Sequence, residues 1–394
     1  MGKALTKQRL GEFLSDAAHR EPGDIRPGGP IGVPDPLPDR PRIEGAKLRH
    51  GAAFFVIGSL AILAATLWLT TGEETWHGVA RFGIWMLATL FALAALRTVL
   101  EALSLLVLVN ETQEARISLR EAAALTLEGF FIGQLIPVSA AGVPYQAFLL
   151  TRKGVRAGWA TAVVVVKGFI PPVFFFCVLV ATTILAITGW TGSEASLTFL
   201  KVVGPLSSIP TLVLVSLLVI MVKFPARFDS IVDRLAAAVA RRMSGRAAER
   251  VEETRVLIEE ESHIFRDALT TIWGRKRWVL FLSTALLILA FVAEFSVGLV
   301  ILSGFGYRGS IVDPLLLQSL LKPILSASPT PGSVAVGEGG YIGFFAAYLP
   351  SHFIGIALVL WRIVLYFVPM FVGGLLVAKR IKGGGRRTVP LESA

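Results

Sequence analysis

Cysteine and charged residues are both scarce in this chain. Its 394 residues contain one cysteine, Cys177, so an internal disulfide and a thiolate metal cluster are both excluded. We expect Cys177 to be a buried small hydrophobe. Charged residues make up 17% and hydrophobic residues 54%, whereas soluble domains average about 25% charged. The apolar residues gather in runs of twenty or more, so the sequence predicts a polytopic, all-α membrane protein.

Signatures of catalysis and of metal binding are missing as well. The sequence has no glycine-rich phosphate loop, no HExxH motif, no nucleophile elbow and no acidic cluster suited to a metal. We therefore expect neither an enzyme nor a metal or cofactor site. The net charge of +10 is assigned to cytoplasmic loops that face anionic lipid headgroups, and nucleic acid is not an expected partner.

Hydropathy divides the chain into a tail, a membrane domain and a second tail. Residues 1–47 are rich in proline and are predicted to be a flexible cytoplasmic tail. Residues 48–380 form the predicted membrane domain, with a charged helical insertion at 223–277, and 381–394 form a basic cytoplasmic tail. Six full spans are predicted at about residues 50–71, 79–110, 157–188, 197–222, 278–302 and 353–377.

Two apolar segments are interrupted by proline and glycine and are predicted to be re-entrant helical hairpins. Residues 118–150 break between Pro137 and Pro144, and residues 311–349 break between Ser328 and Gly332. Each half is too short to cross a bilayer, and a broken backbone at membrane depth is tolerated only where protein buries it or a cavity lies beside it.

The distribution of basic residues predicts the orientation. With the N-terminus inside, 31 of the 38 lysines and arginines fall in cytoplasmic segments, as the positive-inside rule requires. Both termini are then cytoplasmic. The first hairpin enters from the cytoplasm, and the second enters from outside.

The two hairpins have matching sequence features. Gly142 precedes Lys167 by 25 residues, and Gly337 precedes Arg362 by 25 residues. Similar units that enter from opposite faces make an inverted-topology repeat, an arrangement typical of alternating-access transporters with a midplane site.

Two cations and one carboxylate are the leading candidates for a binding site. Lys167 and Arg362 lie near the middle of predicted spans, where charged side chains usually face a cavity or a partner. Two cations beside helix breaks would suit a phosphate. The alternative is a buried ion pair that only fixes packing. Glu338 is expected to partner Arg362, to carry a proton during transport, or to stabilise the start of a helix.

Other charged residues in the apolar segments are assigned secondary roles. Glu101 follows Arg97 by four residues, which favours a local salt bridge. Glu128, Glu294 and Lys322 are candidates for charge or proton coupling, together with Glu338.

Two motifs resemble those of a known family. Residues 129–137 with 142–150, and residues 329–338 with 361–369, resemble the two motifs of the lysylphosphatidylglycerol synthase transmembrane region, or flippase-like domain. The resemblance spans about residues 50–380. Six residues of this sequence match positions of the family motifs: Pro331, Gly332, Gly337, Glu338, Arg362 and Pro369. Val143 stands where the family usually has a glutamate, so strict aminoacyl-lipid specificity is not inherited. Synthase activity is not inherited either, because the soluble transferase domain is missing.

The resemblance implies a lipid-handling protein of the bacterial inner membrane. We expect a transporter that moves an anionic or phosphate-bearing lipid between leaflets, such as a phospholipid, an aminoacylated phosphatidylglycerol or a polyprenyl phosphate. Its expected substrate-binding residues are Lys167, Arg362, Glu338, Gly142, Gly337, Pro331 and Gly332. The alternatives are a membrane-embedded lipid-linked transferase, and a scaffold for a lipid-biosynthesis complex, for example of hopanoids, that docks a partner at 223–277. The sequence leaves the oligomeric state open.

Overall fold

The computed structural model describes residues 45–73, 75–76, 82–112, 116–135, 142–188, 194–223, 265 and 267–384. The two predicted tails lie almost wholly outside these residues, as does most of the insertion at 223–277. The described residues contain helices and turns and no strand, which confirms the all-helical class.

The helices follow the apolar runs closely. They are α1 (Gly45–Thr70), α2 (Ile84–Thr112), α3 (Leu119–Leu135), α4 (Gly142–Thr151), α5 (Ala157–Ile187), α6 (Glu194–Lys223), α7 (Arg277–Gly304), α8 (Val312–Ser326), α9 (Val336–Ala346), α10 (Ser351–Arg362) and α11 (Val368–Gly384).

Four stretches of the described helices are long and apolar enough to cross a membrane. They are Ile84–Glu111, Ala157–Leu185, Arg277–Gly304 and Ser351–Ile381. In α1 and α6 the apolar stretches are shorter, at Phe55–Thr70 and Leu200–Val213. Many large apolar side chains on these helices are exposed, among them Trp68, Phe281 and Phe371. Contiguous exposed apolar surface is typical of membrane contact, so the chain is a multi-pass helical membrane protein.

The structure contradicts the expected burial of the single cysteine. Cys177 lies in α5 and is exposed rather than buried. The reason is that α5 is apolar on all sides, so its sequence does not show which face meets other helices.

The two interrupted segments form pairs of short helices, as expected. Helices α3 and α4 pack on each other, and so do α8 and α9. Between α8 and α9 the chain makes a 3-10 turn at Pro331–Ser333. The last predicted span contains a π turn at Ile363–Phe367, just before Pro369. Because proline has no N–H to donate and crowds the preceding turn, a wider turn accommodates it.

Helices α2 and α7 pack together at the centre, and the other helices are arranged around them in a regular pattern. Helix α2 packs on α3 and α5, and α7 packs on α8 and α10. Helix α4 packs on α5, and α9 packs on α10. Helix α11 packs on α3, and α6 packs on α8. These contacts of the first short-helix pair match those of the second pair, and α5 packs in addition on α7 and α8.

Candidate functional site

A cluster of charged side chains joins the two central helices to α8. The Arg97 guanidinium of α2 lies with its Nε 3.0 Å from Glu294 Oε2 of α7. The other oxygen of Glu294 accepts a hydrogen bond from Lys322 Nζ of α8. Within α2, Arg97 Nη2 donates to Glu101 Oε1 at 3.3 Å, which confirms the predicted local salt bridge. We call these four residues the charge cluster.

The charge cluster is largely removed from solvent. The side chains of Arg97 and Glu294 are 9% and 5% exposed, and those of Glu101 and Lys322 are each 19% exposed. Ionised groups this buried are stable only when they are paired. The Arg97 guanidinium also lies 5.6 Å from the centre of the Phe130 ring, which adds a cation–π contact.

An open cavity of about 230 Å³ lies beside this cluster. Three charged residues of the cluster reach its wall: Arg97, Glu101 and Lys322. The remaining lining residues come from both hairpins and the π turn, and they are Thr126, Gly129, Phe130, Gly133, Gln134, Gly142, Val143, Gln146, Leu325, Ser326, Ser333 and Tyr366. Positive charge, hydroxyl groups and side-chain amides therefore meet in one space.

Two polar atoms in the cavity wall have no partner among the described residues. They are Thr126 Oγ1 and Gln134 Oε1, both on buried side chains of α3. A buried polar atom left without a hydrogen bond costs about 1–3 kcal/mol. The wall can therefore offer hydrogen bonds to a polar ligand.

Gly142 belongs to this wall because α4 approaches α3 closely there. A Cβ on Gly142 would lie 2.5 Å from the carbonyl oxygen of Gly129. A Cβ on Gly129 would in turn lie 2.4 Å from the side-chain nitrogen of Gln146. Glycine is needed at both positions for the two helices to touch, so the predicted site residue Gly142 shapes the cavity through its backbone.

Arg362 and Glu338 form a second, fully buried ionic unit. Arg362 Nη2 lies 2.6 Å from Glu338 Oε1, and Arg362 Nε donates to the same oxygen at 2.8 Å. Both side chains are 0% exposed. Ser59 of α1 donates to Glu338 Oε1 at 2.7 Å, and the backbone N–H of Ala335 donates to Glu338 Oε2 at 2.8 Å. The predicted partnership of Glu338 with Arg362 is confirmed.

This unit holds the break between α8 and α9 in an unusual backbone conformation. Arg362 Nη1 donates to the carbonyl oxygen of Gly332 at 3.2 Å. Gly332 has a φ of +62°, and Ser333 and Ala335 also have positive φ, at 54° and 69°. Non-glycine residues with positive φ cost about 1–3 kcal/mol and need support from their surroundings. Two hydrogen bonds provide this support: the Ala335 N–H donates to Glu338 Oε2, and Arg362 Nη1 donates to the Gly332 carbonyl oxygen.

The predicted glycines of the second break are needed for close packing. A Cβ on Gly332 would lie 1.8 Å from the Phe55 ring, and one on Gly337 would lie 2.9 Å from Arg362 Nη2. Pro331 begins the 3-10 turn. Pro331, Gly332 and Gly337 therefore lie around the Arg362–Glu338 pair. Ser333 and Tyr366 connect this pair to the cavity. The Tyr366 ring lines the cavity and lies 4.4 Å from the Arg362 guanidinium.

Glu128, in the middle of α3, belongs to a third ionic unit. Its carboxylate accepts hydrogen bonds from Arg380 Nε at 2.9 Å and from Arg380 Nη2 at 2.7 Å. Tyr145 Oη of α4 donates to it at 3.2 Å. Arg380 is in α11, so the basic end of the last helix binds α3 directly, and the same carboxylate joins α3 to α4 through Tyr145.

The predicted site residues lie in different parts of the structure: some line the cavity, some lie behind its wall, and some lie elsewhere. Gly142 and Lys322 line the cavity, and Lys322 pairs with Glu294. Arg362, Glu338, Gly337, Gly332 and Pro331 lie behind its wall. Lys167 is partly exposed on α5, and within the described part of the chain it has no ion-pair partner. The described contacts do not bring Lys167 and Arg362 together.

Sequence reasoning did not identify Arg97 as a site residue. Its spacing of four residues from Glu101 accounts for its charge within one helix, so the sequence alone indicates no further role for Arg97. The signal that was available is the position of the two glutamates in the repeat: Glu101 and Glu294 are 193 residues apart, close to the 195 residues between Gly142 and Gly337. Arg97 contacts both glutamates. Within the described residues, no group of three histidine, cysteine or acidic side chains is placed to hold a metal.

Two comparisons place the chain among known proteins. Residues 55–373 match the family model described as "Lysylphosphatidylglycerol synthase TM region". A relative from Archaeoglobus fulgidus, described as "UPF0104 membrane protein", is 24% identical over 328 residues, which cover 82% of this chain and 94% of the relative. The family match extends over nearly all of the described helices.

Proposed function

Since the chain belongs to the family of the lysylphosphatidylglycerol synthase TM region, we propose that it moves an anionic, phosphate-bearing lipid between the leaflets of its membrane. The observation that supports this proposal most directly is the open cavity of about 230 Å³, whose wall contains Arg97 and Lys322. In this proposal the headgroup enters the cavity, and the hydrocarbon chains stay in the bilayer.

The chemistry of the cavity suits a phosphate group. Arginine and lysine are the side chains that recognise phosphate most often, through charge-assisted hydrogen bonds. Arg97 and Lys322 share Glu294 as a partner, and Lys322 keeps part of its side chain exposed. A phosphate can replace part of the pairing with Glu294, and each cation then still has a negatively charged partner. Thr126 and Gln134 supply further hydrogen-bonding groups nearby.

The arrangement of the helices supports an alternating-access mechanism. The repeat proposed from sequence relates α2–α5 to α7–α10, and the matching pattern of helix neighbours agrees with it. In this reading α3 with α4 and α8 with α9 are re-entrant hairpins that enter from opposite faces, and six helices span the membrane. Transporters built from inverted repeats bind their substrates between broken helices near the midplane, and the cavity is lined by both hairpins.

The orientation in this proposal follows from the charge distribution. Both termini and the charged segment 223–277 would face the cytoplasm, and the membrane would be a bacterial inner membrane. The proposed activity is transport rather than catalysis, and its partners are anionic membrane lipids.

The test is reconstitution in liposomes that contain a fluorescent phospholipid in both leaflets. Dithionite bleaches the outer leaflet only, so the bleached fraction reports movement between leaflets. We expect the wild-type protein to raise the bleached fraction, and the variants Arg97→Gln and Lys322→Met to lose most of this activity.

Lys201→Met provides the matched control. Lys201 is an exposed lysine of α6 outside the cavity wall, so its removal changes the net charge equally and should leave lipid movement intact. Each variant is first checked for a monodisperse elution profile in detergent. Wild-type activity in folded Arg97→Gln and Lys322→Met would contradict the assignment of the cavity, and no lipid movement by the wild type would contradict the proposed function.

A further inference from the structure

One glutamine of the cavity wall ends in a polar atom that the described residues leave unpaired. Gln134 of α3 lines the cavity and is 9% exposed, and its Oε1 has no hydrogen-bond partner within the described part of the chain. The other glutamine of the wall differs, because Gln146 Nε2 donates to the carbonyl oxygen of Leu125 at 3.3 Å. Buried polar groups are normally paired, so Gln134 is placed to pair with a group that enters the cavity.

Gln134 lies one helical turn from the position proposed for the phosphate. Phe130 precedes it by four residues on the same face of α3, which corresponds to about 6 Å along the helix axis. The Arg97 guanidinium lies 5.6 Å from the centre of the Phe130 ring. Gly133 also lines the cavity and has no side chain to fill the space between them. The substituent of a phosphate bound by Arg97 therefore extends toward the Gln134 amide.

The chemistry of the amide limits which substituent fits. A carbonyl oxygen accepts hydrogen bonds and cannot donate, so its partner must bring an O–H or an N–H. A hydroxyl both donates and accepts, and it pairs with the amide in either orientation, whereas an alkyl group does neither. A primary ammonium needs a negative partner when it is buried, but Glu101, the carboxylate that lines the cavity, is already paired with Arg97. The arrangement therefore favours an uncharged hydroxyl.

Resting on the proposed function, we propose that Gln134 makes the cavity specific for phosphodiester headgroups whose alcohol carries a free hydroxyl. The Gln134 amide binds this hydroxyl, while Arg97 and Lys322 bind the phosphate. Glycerol phosphates and phosphorylated ring polyols such as sugars share this chemistry. A site that hydrogen-bonds a substrate hydroxyl rejects the analogue that lacks it, because the buried group of the site is then left unpaired.

The experiment compares lipids that differ in their hydroxyls and not in their charge. Dioleoyl-phosphatidylglycerol and dioleoyl-phosphatidylpropanol share their acyl chains, one negative charge and a three-carbon alcohol, but only the glycerol has free hydroxyls. Dioleoyl-phosphatidylinositol has the same charge and a ring of hydroxyls. Each lipid is titrated onto detergent-solubilised protein, and bound lipid is counted by native mass spectrometry.

The wild type should bind at least one of the two polyol lipids about tenfold more tightly than phosphatidylpropanol, as expected for a hydrogen bond to a buried group. Tight binding of phosphatidylglycerol alone would identify a linear polyol as the ligand. Tight binding of phosphatidylinositol would identify a ring polyol.

Substitutions at position 134 should change this preference without harming the fold. Gln134→Met removes the amide and keeps a similar volume, so all three lipids should bind within about twofold of one another. The unfolding temperature of Gln134→Met should not fall, since Gln134 Oε1 has no partner to lose among the described residues. Gln134→Glu keeps an acceptor oxygen and should keep the preference, with weaker binding of every lipid because its charge repels the phosphate.

Gln318→Met provides the matched control. Gln318 Oε1 is also buried without a partner among the described residues, but Gln318 lies in α8 outside the cavity wall. Its Nε2 donates to the carbonyl oxygens of Phe295 and Pro314. Gln318→Met should therefore lower the unfolding temperature and leave the lipid preference unchanged.

The outcomes separate this inference from the proposed function. Equal binding of the three lipids by the wild type, or an unchanged preference in Gln134→Met, would overturn the role of Gln134 even if the protein moves lipids between leaflets. A clear fall in the unfolding temperature of Gln134→Met would also overturn it, because the amide would then be paired within the protein. The expected preference without movement in liposomes would overturn the transport function and leave the hydroxyl selectivity standing. If the solubilised wild type binds none of the three lipids, both proposals fail.

Discussion

Arg362 is, together with its partner Glu338, the most completely buried charge among the described residues. Its guanidinium bonds to Glu338 and to the Gly332 carbonyl, and it lies near the rings of Tyr366 and Trp361. These contacts connect the end of α10 to the break before α9. Both side chains of the pair are 0% exposed. Removal of either partner is therefore strongly destabilising, because the other charge then stays buried without a partner.

We therefore predict that Arg362→Met destabilises the protein strongly. Removal of one partner of a buried pair costs about 3–5 kcal/mol, so the unfolding temperature in detergent should fall clearly. The double variant Arg362→Met with Glu338→Gln should recover much of the loss, since the remaining amide is uncharged and keeps hydrogen bonds to Ser59 and Ala335.

Thermal unfolding of wild type, both single variants and the double variant measures the coupling. If Arg362→Met unfolds at the wild-type temperature, the pair is not essential for the fold. If the double variant is as unstable as the sum of the single variants, the two residues act independently.

Sequence could predict pairing within a helix but not pairing between distant helices. The Arg97–Glu101 bridge follows from a spacing of four residues, and the Arg362–Glu338 pair follows from the motif that contains both. The contact between Arg97 and Glu294 joins residues 197 positions apart. No local pattern indicates it, and it depends on how α2 and α7 pack.

Surface charge has its clearest structural role at the N-terminal end of α3. Ser118 and Glu121 form a capping box: the Ser118 N–H donates to Glu121 Oε2 at 2.9 Å, and the Glu121 N–H donates to Ser118 Oγ at 3.3 Å. Lys153, just after α4, donates to the other oxygen of Glu121. The open end of the first hairpin is thus closed by a partly exposed ion pair.

The hydrogen bond from Lys153, with those from Ser118, lowers the pKa of Glu121 to about 2. The unfolded value for glutamate is about 4.3. Because the folded pKa is the lower one, the stabilisation is fully present above about pH 4.3 and is lost as the pH falls toward 2. The side chain is 37% exposed, so solvent screening limits the contribution to roughly 1 kcal/mol or less.

The measurement is the difference in unfolding temperature between wild type and Glu121→Gln from pH 7 to pH 2.5. We expect a small constant difference down to about pH 4.5 that shrinks below it. Lys153→Met should show the same trend, since it removes the hydrogen bond that lowers the pKa of Glu121 most. A difference that stays constant down to pH 2.5 would contradict the role of the ion pair.

The helix boundaries were mostly predictable, and the turns inside helices were not. The ends of α2, α5 and α7 fall within a few residues of the predicted spans, because the ends of apolar runs coincide with polar turns. The π turn at Ile363–Phe367 was missed: hydropathy continues through it, and only Pro369 indicates a disturbance. The apolar stretches of α1 and α6 are shorter than the spans predicted there.

At the scale of the whole molecule, the internal repeat that we propose would connect several separate features of the chain. Lys167 and Arg362 occupy equivalent places 195 residues apart, yet one is unpaired within the described helices and the other is fully paired. Glu101 and Glu294, which are 193 residues apart, both contact Arg97 between the central helices. In the proposed repeat, the two halves therefore share several helix contacts but pair their charged side chains differently.

The repeat predicts that equivalent residues face opposite sides of the membrane. Arg156 precedes α5 and Ser351 begins α10, they are 195 residues apart, and both are exposed. If the two halves are inverted, a cysteine at position 156 should react with a membrane-impermeant maleimide only from the cytoplasmic side, and a cysteine at position 351 only from outside.

Each cysteine is introduced into a Cys177→Ser background, because Cys177 is itself exposed. Labelling is compared in right-side-out and inside-out vesicles, with detergent-solubilised membranes as the control for full reactivity. Reaction of both cysteines from the same side would exclude the inverted repeat and, with it, the alternating-access mechanism built on the two hairpins.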